Sequence, residues 1–185
     1  MYLKKLDVFG FKSFAHKIGL EFGPGITCVV GPNGCGKTNV ADAIRWVLGE
    51  QSPSELRGSS MSDVIFNGTQ KRRRLGMAEV TLTIDNSEGY LPTDYSEVVI
   101  GRRVFRSGES EYLLNKNQCR LRDIKDLFLD TGIGTRTYSL IERKMVDSIL
   151  SDSTGHRRFM FEEAAGIMKY KVRKRSALNK LEATE

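Results

Sequence analysis

Residues 31–38 of the chain, GPNGCGKT, have the residue types and the spacing of a phosphate-binding loop. They match the pattern GxxxxGK(S/T) at Gly31, Gly36, Lys37 and Thr38. Glycines let successive backbone N–H groups turn toward a phosphate because no Cβ atom stands in the way. Lys37 is therefore predicted to reach the β- and γ-phosphates of a nucleotide, and the Thr38 hydroxyl is predicted to bind Mg²⁺.

The elements on either side of this loop are those that the motif requires. Residues 26–30 (ITCVV) are apolar and rich in β-branched residues, which predicts a strand that leads into the loop. A helix is predicted to begin near Lys37 and to stop at Gly49, because apolar residues recur between them at helical spacing: Val40, Ala43, Ile44, Val47 and Leu48. Its positive N-terminal end would face the bound phosphates.

Residues outside the loop decide which nucleotide is bound, because a phosphate cradle does not read the base. Residues 115–118, NKNQ, resemble the guanine-reading sequence NKxD of GTPases. Gln118 stands where a carboxylate would accept hydrogen bonds from the N–H groups of guanine. We therefore expect ATP rather than GTP.

The carboxylates that hydrolysis requires are predicted to lie outside this chain. Residues 127–130, LFLD, imitate an apolar strand that ends in a metal-binding aspartate. Ile124, Leu127 and Phe128 recur at helical spacing, however, which favours an amphipathic helix. Residues 107–110, SGES, are too short and differently composed for the signature LSGGQ of ABC-type ATPases.

The remaining pattern predicts an α/β fold that combines mixed and antiparallel sheet. Strands are expected at residues 3–9, 19–22, 63–66, 78–84, 98–105 and 111–114, the later ones antiparallel because their connections are short. Helical spacing returns after Arg122, and from about Phe159 the composition changes to Ala, Glu, Lys, Arg and Leu without proline. Leu178 and Leu181 have the spacing of coiled-coil a and d positions, which predicts the start of such a helix in a chain that reads as a fragment.

Composition and charge restrict the class of protein. With 39% apolar residues we expect a folded domain, and the apolar runs are too short for a signal peptide or a membrane span. Cys28, Cys35 and Cys119 form no CxxC pair, which favours a reduced, cytoplasmic protein without a structural metal. The net charge of +6 concentrates in residues 71–74 (KRRR) and 169–175, which suits a polyanionic partner, although a solvated surface explains the same clusters.

Several longer motifs together resemble the N-terminal head segment of bacterial SMC (structural maintenance of chromosomes) proteins. The resemblance runs from Met1 to about Arg175 and rests on GFKSF (10–14), the phosphate loop, DAIRWVLGEQ (42–51), LRG (56–58), DVIF (63–66) and FEEAAGI (161–167). It implies a P-loop, ABC-type ATPase head. Residues 1–160 would form its N-terminal lobe, and residues 161–185 would begin the coiled-coil arm.

In that family the head is assembled from both ends of a very long chain, and the Walker B and signature motifs belong to the C-terminal half. The resemblance therefore implies that this chain alone is inactive. Its implied partners are the C-terminal half of the same head, a second head in a homodimer, kleisin-type accessory subunits and double-stranded DNA, with no membrane. In the intact, nucleoid-associated protein, ATP binding and hydrolysis with Mg²⁺ would drive head engagement, DNA entrapment, and chromosome condensation and segregation.

The resemblance also implies roles for single residues. Lys37 and Arg57 are the implied catalytic residues, because Arg57 matches an arginine that points toward the nucleotide phosphates; a surface arginine is the alternative. Lys12 and Ser13 are expected near the nucleotide, and Asp63 and Phe66 near the adenine; simple packing is the alternative for these four residues. The implied nucleotide-binding residues are Lys12, Ser13, Pro32, Asn33, Gly34, Cys35, Gly36, Lys37, Thr38, Asn39, Asp63 and Phe66.

The chain departs from the family at the Q-loop glutamine. Where most bacterial relatives read Ile-Gly-Gln-Gly-Lys-Val, residues 141–146 read IERKMV, so Arg143 takes the position of the glutamine. A guanidinium has no acceptor atom and cannot bind Mg²⁺. We hypothesise that Glu142 supplies the missing oxygen, so that Thr38 and Glu142 are the candidate metal ligands.

Basic residues provide the candidate DNA contacts. The resemblance implies that Arg120 and Arg122 lie on a DNA-facing surface, and the run Lys71, Arg72, Arg73 and Arg74 is a further candidate. No aromatic residues alternate with these cations, so we expect binding through phosphates, without sequence preference and weakened by salt.

Three other functions are alternatives to an SMC half-head. Another long-arm ABC ATPase of DNA repair would share the loop but fits the stretch FEEAAG less well. A small P-loop kinase needs a catalytic aspartate strand and an acceptor site, and the sequence offers neither. A nucleic-acid-binding module with an idle loop is disfavoured because Gly36, Lys37 and Thr38 are intact.

Overall fold

A computed structural model of the chain describes residues 1–128, 165 and 167–184. The chain divides into two compact units, Met1–Leu127 and Phe128–Glu185. The described elements are β1 (Tyr2–Phe9), β2 (Ile18–Glu21), α1 (Lys37–Val47), β3 (Met77–Asp85), β4 (Glu97–Phe105), β5 (Ser110–Leu114), β6 (Asn117–Cys119), α2 (Leu121–Phe128) and α3 (Met168–Glu182). Two 3-10 turns, Ser54–Leu56 and Met61–Val64, lie between α1 and β3.

The strands form one six-stranded sheet with the order β2-β1-β3-β4-β5-β6, and every described pair is antiparallel. The β5–β6 connection is a two-residue hairpin turn, in which Asn115 and Lys116 have φ values of 47° and 71°. Asn115 Oδ1 also accepts a hydrogen bond of 2.8 Å from the Val99 N–H. The NKNQ stretch is therefore a turn and the start of β6, which agrees with the rejection of a guanine site.

One face of this sheet packs against α1 and forms the core. Alternate residues of β3 are buried along its whole length, as a strand with one covered face requires. Ala43, Trp46 and Val47 of α1 are fully buried, and the ring of Trp46 lies 5.2 Å from that of Phe11. The α/β fold and the predicted helix after the phosphate loop are thereby confirmed.

The C-terminal end of α1 is fixed to the sheet by a buried arginine. Arg102 of β4 is 2% exposed and donates hydrogen bonds to the carbonyl oxygens of Trp46 at 2.9 Å and Glu50 at 2.6 Å. Its guanidinium lies 4.7 Å from the ring of Trp46 and 4.8 Å from that of Tyr112. Burial lowers the pKa of Arg102 below its ordinary value. The negative end of the helix dipole and the two ring faces stabilise this cation.

Two predicted strands are wrong. Residues 26–30 form no strand, and Ile26 is fully exposed while Val30 is 82% exposed. A β-branched sequence needs a neighbouring strand for its hydrogen bonds, and none of the described strands pairs with this segment. Residues 63–66 are the second error, because Met61–Val64 is a 3-10 turn that a capping box of Ser60 and Asp63 stabilises.

The second unit is described only in part. The predicted C-terminal helix is confirmed over Met168–Glu182, where Leu178 and Leu181 are exposed. Coiled-coil pairing and the predicted boundary at residue 160 stay predictions. Glu142, Arg143, Asp130 and most of the stretch 161–167 lie outside the described residues. None of the described helices is both long and apolar enough to cross a membrane.

Candidate nucleotide site

The phosphate loop runs directly into the first turn of α1. Gly34 and Gly36 have φ values of 81° and 97°, a left-handed conformation that glycine adopts without strain. Gly36 is the N-cap of α1, and no described side chain caps the helix or places a carboxylate in its first turn. The first backbone N–H groups of α1 therefore have no side-chain acceptor, and the geometry suits an anion.

Lys37 reaches back over the loop that precedes it. Its Nζ atom donates hydrogen bonds of 2.6 Å to the Gly31 carbonyl oxygen and 2.7 Å to the Pro32 carbonyl oxygen. Thr38 is exposed, as are the loop residues Pro32, Asn33, Gly34 and Cys35. An incoming phosphate can thus reach both the ammonium group and the N–H groups from solvent.

These residues fit the phosphates of ATP, since an uncapped helix end, a glycine loop and a lysine all point to the same anion. The fit to Mg²⁺ is less complete. Thr38 offers a hydroxyl oxygen, but the described residues contain no cluster of three or more His, Cys, Asp or Glu side chains that could hold a metal. Glu142, the other candidate ligand, lies outside the described residues, so the metal site stays a prediction.

The loop after β1 brings Lys12 and Ser13 to α1. Gly10 has a φ of 64°, and a Cβ atom there would lie 2.3 Å from the Met77 carbonyl oxygen, so only glycine fits. The Lys12 N–H donates a 2.6 Å hydrogen bond to the Val64 carbonyl oxygen, which fixes the loop. Asn39 Nδ2 then donates to Ser13 Oγ at 2.8 Å.

A buried carboxylate, Asp42, joins the predicted cations. Both Lys12 Nζ and Arg57 Nη2 donate to its Oδ2 atom, and the Asp42 side chain is 5% exposed. Arg57 Nη2 also donates to Asn39 Oδ1 at 3.2 Å. Burial lowers the pKa of Lys12, although the Asp42 carboxylate opposes this change. We name this group, formed by Lys12, Ser13, Asn39, Asp42 and Arg57, the Asp42 cluster.

Sequence reasoning placed four members of the Asp42 cluster at the nucleotide but gave Asp42 no role of its own. The available signal was its spacing, because residues three apart on a helix share a face and Asn39 and Asp42 are three apart. Arg57 carries a second signal, since its φ of 58° is uncommon for a residue other than glycine. Such backbone conformations concentrate at functional sites.

Asp63 and Phe66, expected near the adenine, make contacts within their own segment. Asp63 Oδ2 accepts hydrogen bonds of 2.8 Å from the N–H groups of Ser59 and Ser60, which hold the pKa of this carboxyl below its ordinary value. Phe66 is 7% exposed, and its N–H donates to the Gly10 carbonyl oxygen at 2.7 Å. Both residues therefore stabilise the chain around the Asp42 cluster, and a contact with adenine stays a prediction.

The candidate DNA residues are all on the surface. Arg120 and Arg122 lie at the start of α2, where Arg122 is 80% exposed and forms an ion pair of 3.4 Å with Asp126. The run of Lys71, Arg72, Arg73 and Arg74 is exposed in the loop before β3, where Thr69 and Arg72 form an isolated bridge. Exposed cations of this kind are available to phosphates.

Comparisons with known proteins all indicate the same protein family. A family model described as the RecF/RecN/SMC N-terminal domain matches residues 2–151. The chain is 57% identical over 185 residues to the chromosome partition protein Smc of Bacillus subtilis. The aligned region covers 100% of this chain and 16% of that protein. The chain thus spans about a sixth of the length of this curated relative.

Solved structures agree. A structure described by the words "ATP-driven dimerization and DNA stimulated activation of SMC ATPases" has a TM-score of 0.80 at 33% identity, covering 89% of this chain and 99% of the other. The Smc head domain from Pyrococcus furiosus, with an extended coiled coil and bound to the C-terminal domain of ScpA, has a TM-score of 0.84 at 35% identity. That match covers 98% of this chain and 46% of the other.

Proposed function

The chain belongs to the RecF/RecN/SMC N-terminal domain family, and we propose that it is the ATP-binding half of an SMC ATPase head. The observation that carries this proposal is the uncapped N-terminus of α1, preceded by the glycine loop and flanked by Lys37 and the Asp42 cluster. The identity of 57% to a chromosome partition protein favours the SMC function over a DNA-repair ATPase or a P-loop kinase.

In this proposal the chain binds and orients the triphosphate. The first N–H groups of α1 donate to the phosphates, and Lys37 exchanges its bonds to the Gly31 and Pro32 carbonyl oxygens for phosphate oxygens. Arg57 faces the phosphates from the side of the Asp42 cluster, where charge develops during phosphoryl transfer. Mg²⁺, held by Thr38 and by Glu142, would neutralise phosphate charge when bound.

The rest of the site comes from elsewhere in the intact protein. Residues 23–35 are all exposed, and they include the β-branched segment 26–30 that has no strand partner among the described residues. We propose that the C-terminal half of the same head supplies the neighbouring strand and the Walker B carboxylates. A second head would supply the signature motif, so that this chain alone does not hydrolyse ATP.

The cycle of ATP binding and hydrolysis would then engage and release two heads of a homodimer on the nucleoid. DNA binds without sequence preference through the exposed basic residues, and a kleisin-type subunit such as the ScpA of the Pyrococcus furiosus structure completes the assembly. Head engagement, DNA entrapment and chromosome partition follow from this cycle.

The test uses the full-length protein and measures ATP turnover and ATP-dependent head dimerisation. Lys37→Ile should lower turnover to below about a hundredth, because the ammonium no longer stabilises the phosphates. Lys4→Ile is the matched control, since Lys4 is an exposed lysine of β1 that pairs with Glu97 of β4. Wild-type protein that neither hydrolyses ATP nor dimerises with it would refute the proposed function.

A further inference from the structure

The Asp42 cluster contains one carboxylate and two cations, and both cations bind the same oxygen. Lys12 Nζ and Arg57 Nη2 each donate to Asp42 Oδ2, whose side chain is 5% exposed. Asp42 follows Thr38 by four residues on α1, a rise of about 6 Å. Asp42 therefore holds a guanidinium about one helical turn away from the phosphate loop.

The backbone of both cationic residues is bent in the same unusual way. Lys12 has a φ of 50° and Arg57 a φ of 58°, in the left-handed region that side chains other than glycine seldom adopt. The Lys12 loop is fixed by Gly10 and the Val64 carbonyl oxygen, and Arg57 follows the 3-10 turn Ser54–Leu56. Two separate loops thus accept backbone strain while their cations bind Asp42.

Arg57 needs such a partner because it is otherwise free to move. Its side chain is 56% exposed, and an arginine in solvent samples many rotamers. Asn39 Oδ1 and Asp42 Oδ2, three residues apart on one face of α1, both accept hydrogen bonds from the same Nη2 atom. A negative charge beside a bound triphosphate would oppose nucleotide binding, so the benefit that this carboxylate can offer catalysis is the orientation of Arg57.

We propose that Asp42 is a positioning residue that sets the place of Arg57, and with it Lys12, relative to the bound phosphates. This inference rests on the proposed function, because it assumes that Arg57 acts on the triphosphate. Asp42 does not touch the reacting atoms, and it acts through Arg57. Removal of its charge should therefore damage the rate of the chemical step more than the binding of ATP.

The test measures kcat, the Kd for ATP and the melting temperature of the full-length protein. Asp42→Asn keeps the shape but loses the charge, and kcat should fall about 10²-fold, a loss that misplacement of a positioned group by about 1 Å can cause. The Kd for ATP should stay constant or decrease, because a repulsive charge is removed. Asp7→Asn is the matched control, since Asp7 pairs with Lys5 on β1 at 3.1 Å.

A double mutant separates positioning from a merely structural role. If Asp42 acts through Arg57, then Asp42→Asn combined with Arg57→Gln should have the same kcat as Arg57→Gln alone. Additive losses in kcat, or a kcat of wild-type size in Asp42→Asn, would overturn the inference. A loss confined to the Kd for ATP would overturn it as well.

Asp42→Glu decides the question if Asp42→Asn does not fold. This variant keeps the charge that stabilises the two cations but moves the carboxylate by one methylene group. We expect a folded protein with kcat reduced at least about tenfold and an unchanged Kd, and a wild-type kcat would overturn the inference. A wild-type protein without ATP turnover refutes the proposed function instead, which keeps the two failures distinct.

Discussion

Residues 26–30 and residues 98–100 have similar residue types, but the first segment is exposed and the second is mostly buried. ITCVV and VVI are both apolar and β-branched, and both favour a strand. Val98 and Ile100 of β4 are at most 1% exposed; β3 pairs with both of them, and β5 pairs with Ile100. Val30 is 82% exposed and lies in no strand. Strand propensity is thus realised only where partner strands are present.

The same contrast divides the candidate site. The Asp42 cluster is tied to the sheet by Gly10, the Val64 carbonyl oxygen and the buried face of α1. The phosphate loop, by contrast, continues the segment 23–35, all of whose residues are exposed. In the proposed function, one wall of the nucleotide site is formed by this chain, while the other wall depends on strands from the C-terminal half of the head.

The largest expected effect comes from a charge buried in the sheet, compared with the same charge placed in the exposed segment. Val80→Asp, at a fully buried position of β3, should lower the free energy of unfolding of this chain by about 4 kcal/mol or more, because an unpaired charge is buried. Val30→Asp should change it by less than about 0.5 kcal/mol. Urea denaturation of the two variants measures both effects.

In the full-length protein Val30→Asp should instead cost several kcal/mol, since the proposed partner strand would cover segment 26–30 there. An equally harmless Val30→Asp in the full-length protein would break the comparison, because the segment would be exposed there too.

The next largest effect on the free energy of unfolding is expected when two neighbouring arginines of β4 are compared. Arg102→Met should lower the free energy of unfolding by about 3 kcal/mol, because the Trp46 and Glu50 carbonyl oxygens lose a buried charged donor. Arg103→Met should cost less than about 1 kcal/mol, since Arg103 forms partly exposed ion pairs with Glu79 and Glu111. Similar losses in thermal denaturation of both variants would contradict the anchoring of α1 by Arg102.

Two glycines with positive φ test the same contrast between the regions, with smaller expected losses of stability. Gly10→Ala should cost about 2 kcal/mol or more, because its Cβ atom would meet the Met77 carbonyl oxygen. Gly25→Ala should cost about 1 kcal/mol, since its φ is 96° but nothing lies within 4 Å of its Cβ atom. Equal shifts of the denaturation midpoint in the two variants would show that the two loops are equally constrained, and would contradict this account.

The smallest effect on stability is expected at Arg122. Arg122→Gln removes an exposed ion pair with Asp126 and should change the free energy of unfolding by less than about 0.5 kcal/mol. In the full-length protein it should reduce the slope of log K for DNA against log salt by about 1, as the loss of one phosphate contact does. Lys5→Gln is the control, and an unchanged slope in Arg122→Gln would remove this residue from the DNA surface.

The sequence predicted what local patterns determine. The phosphate loop, α1, α2 and most strands follow from residue types and periodicity within a few positions. The errors at residues 26–30 and 63–66 arose where pairing and burial, rather than propensity, decide the structure. Asp42 was missed because its partners Lys12 and Arg57 are far from it in the sequence and meet only after the sheet and α1 have packed.

ATP turnover by separately produced segments tests the composite site most directly. This chain, the C-terminal segment of the same protein, and an equimolar mixture of both should be assayed with Mg-ATP, with Lys37→Ile in this chain as the inactive reference. We predict turnover in the mixture and none above the Lys37→Ile level in either segment alone. Turnover by this chain alone at the rate of the mixture would contradict the account.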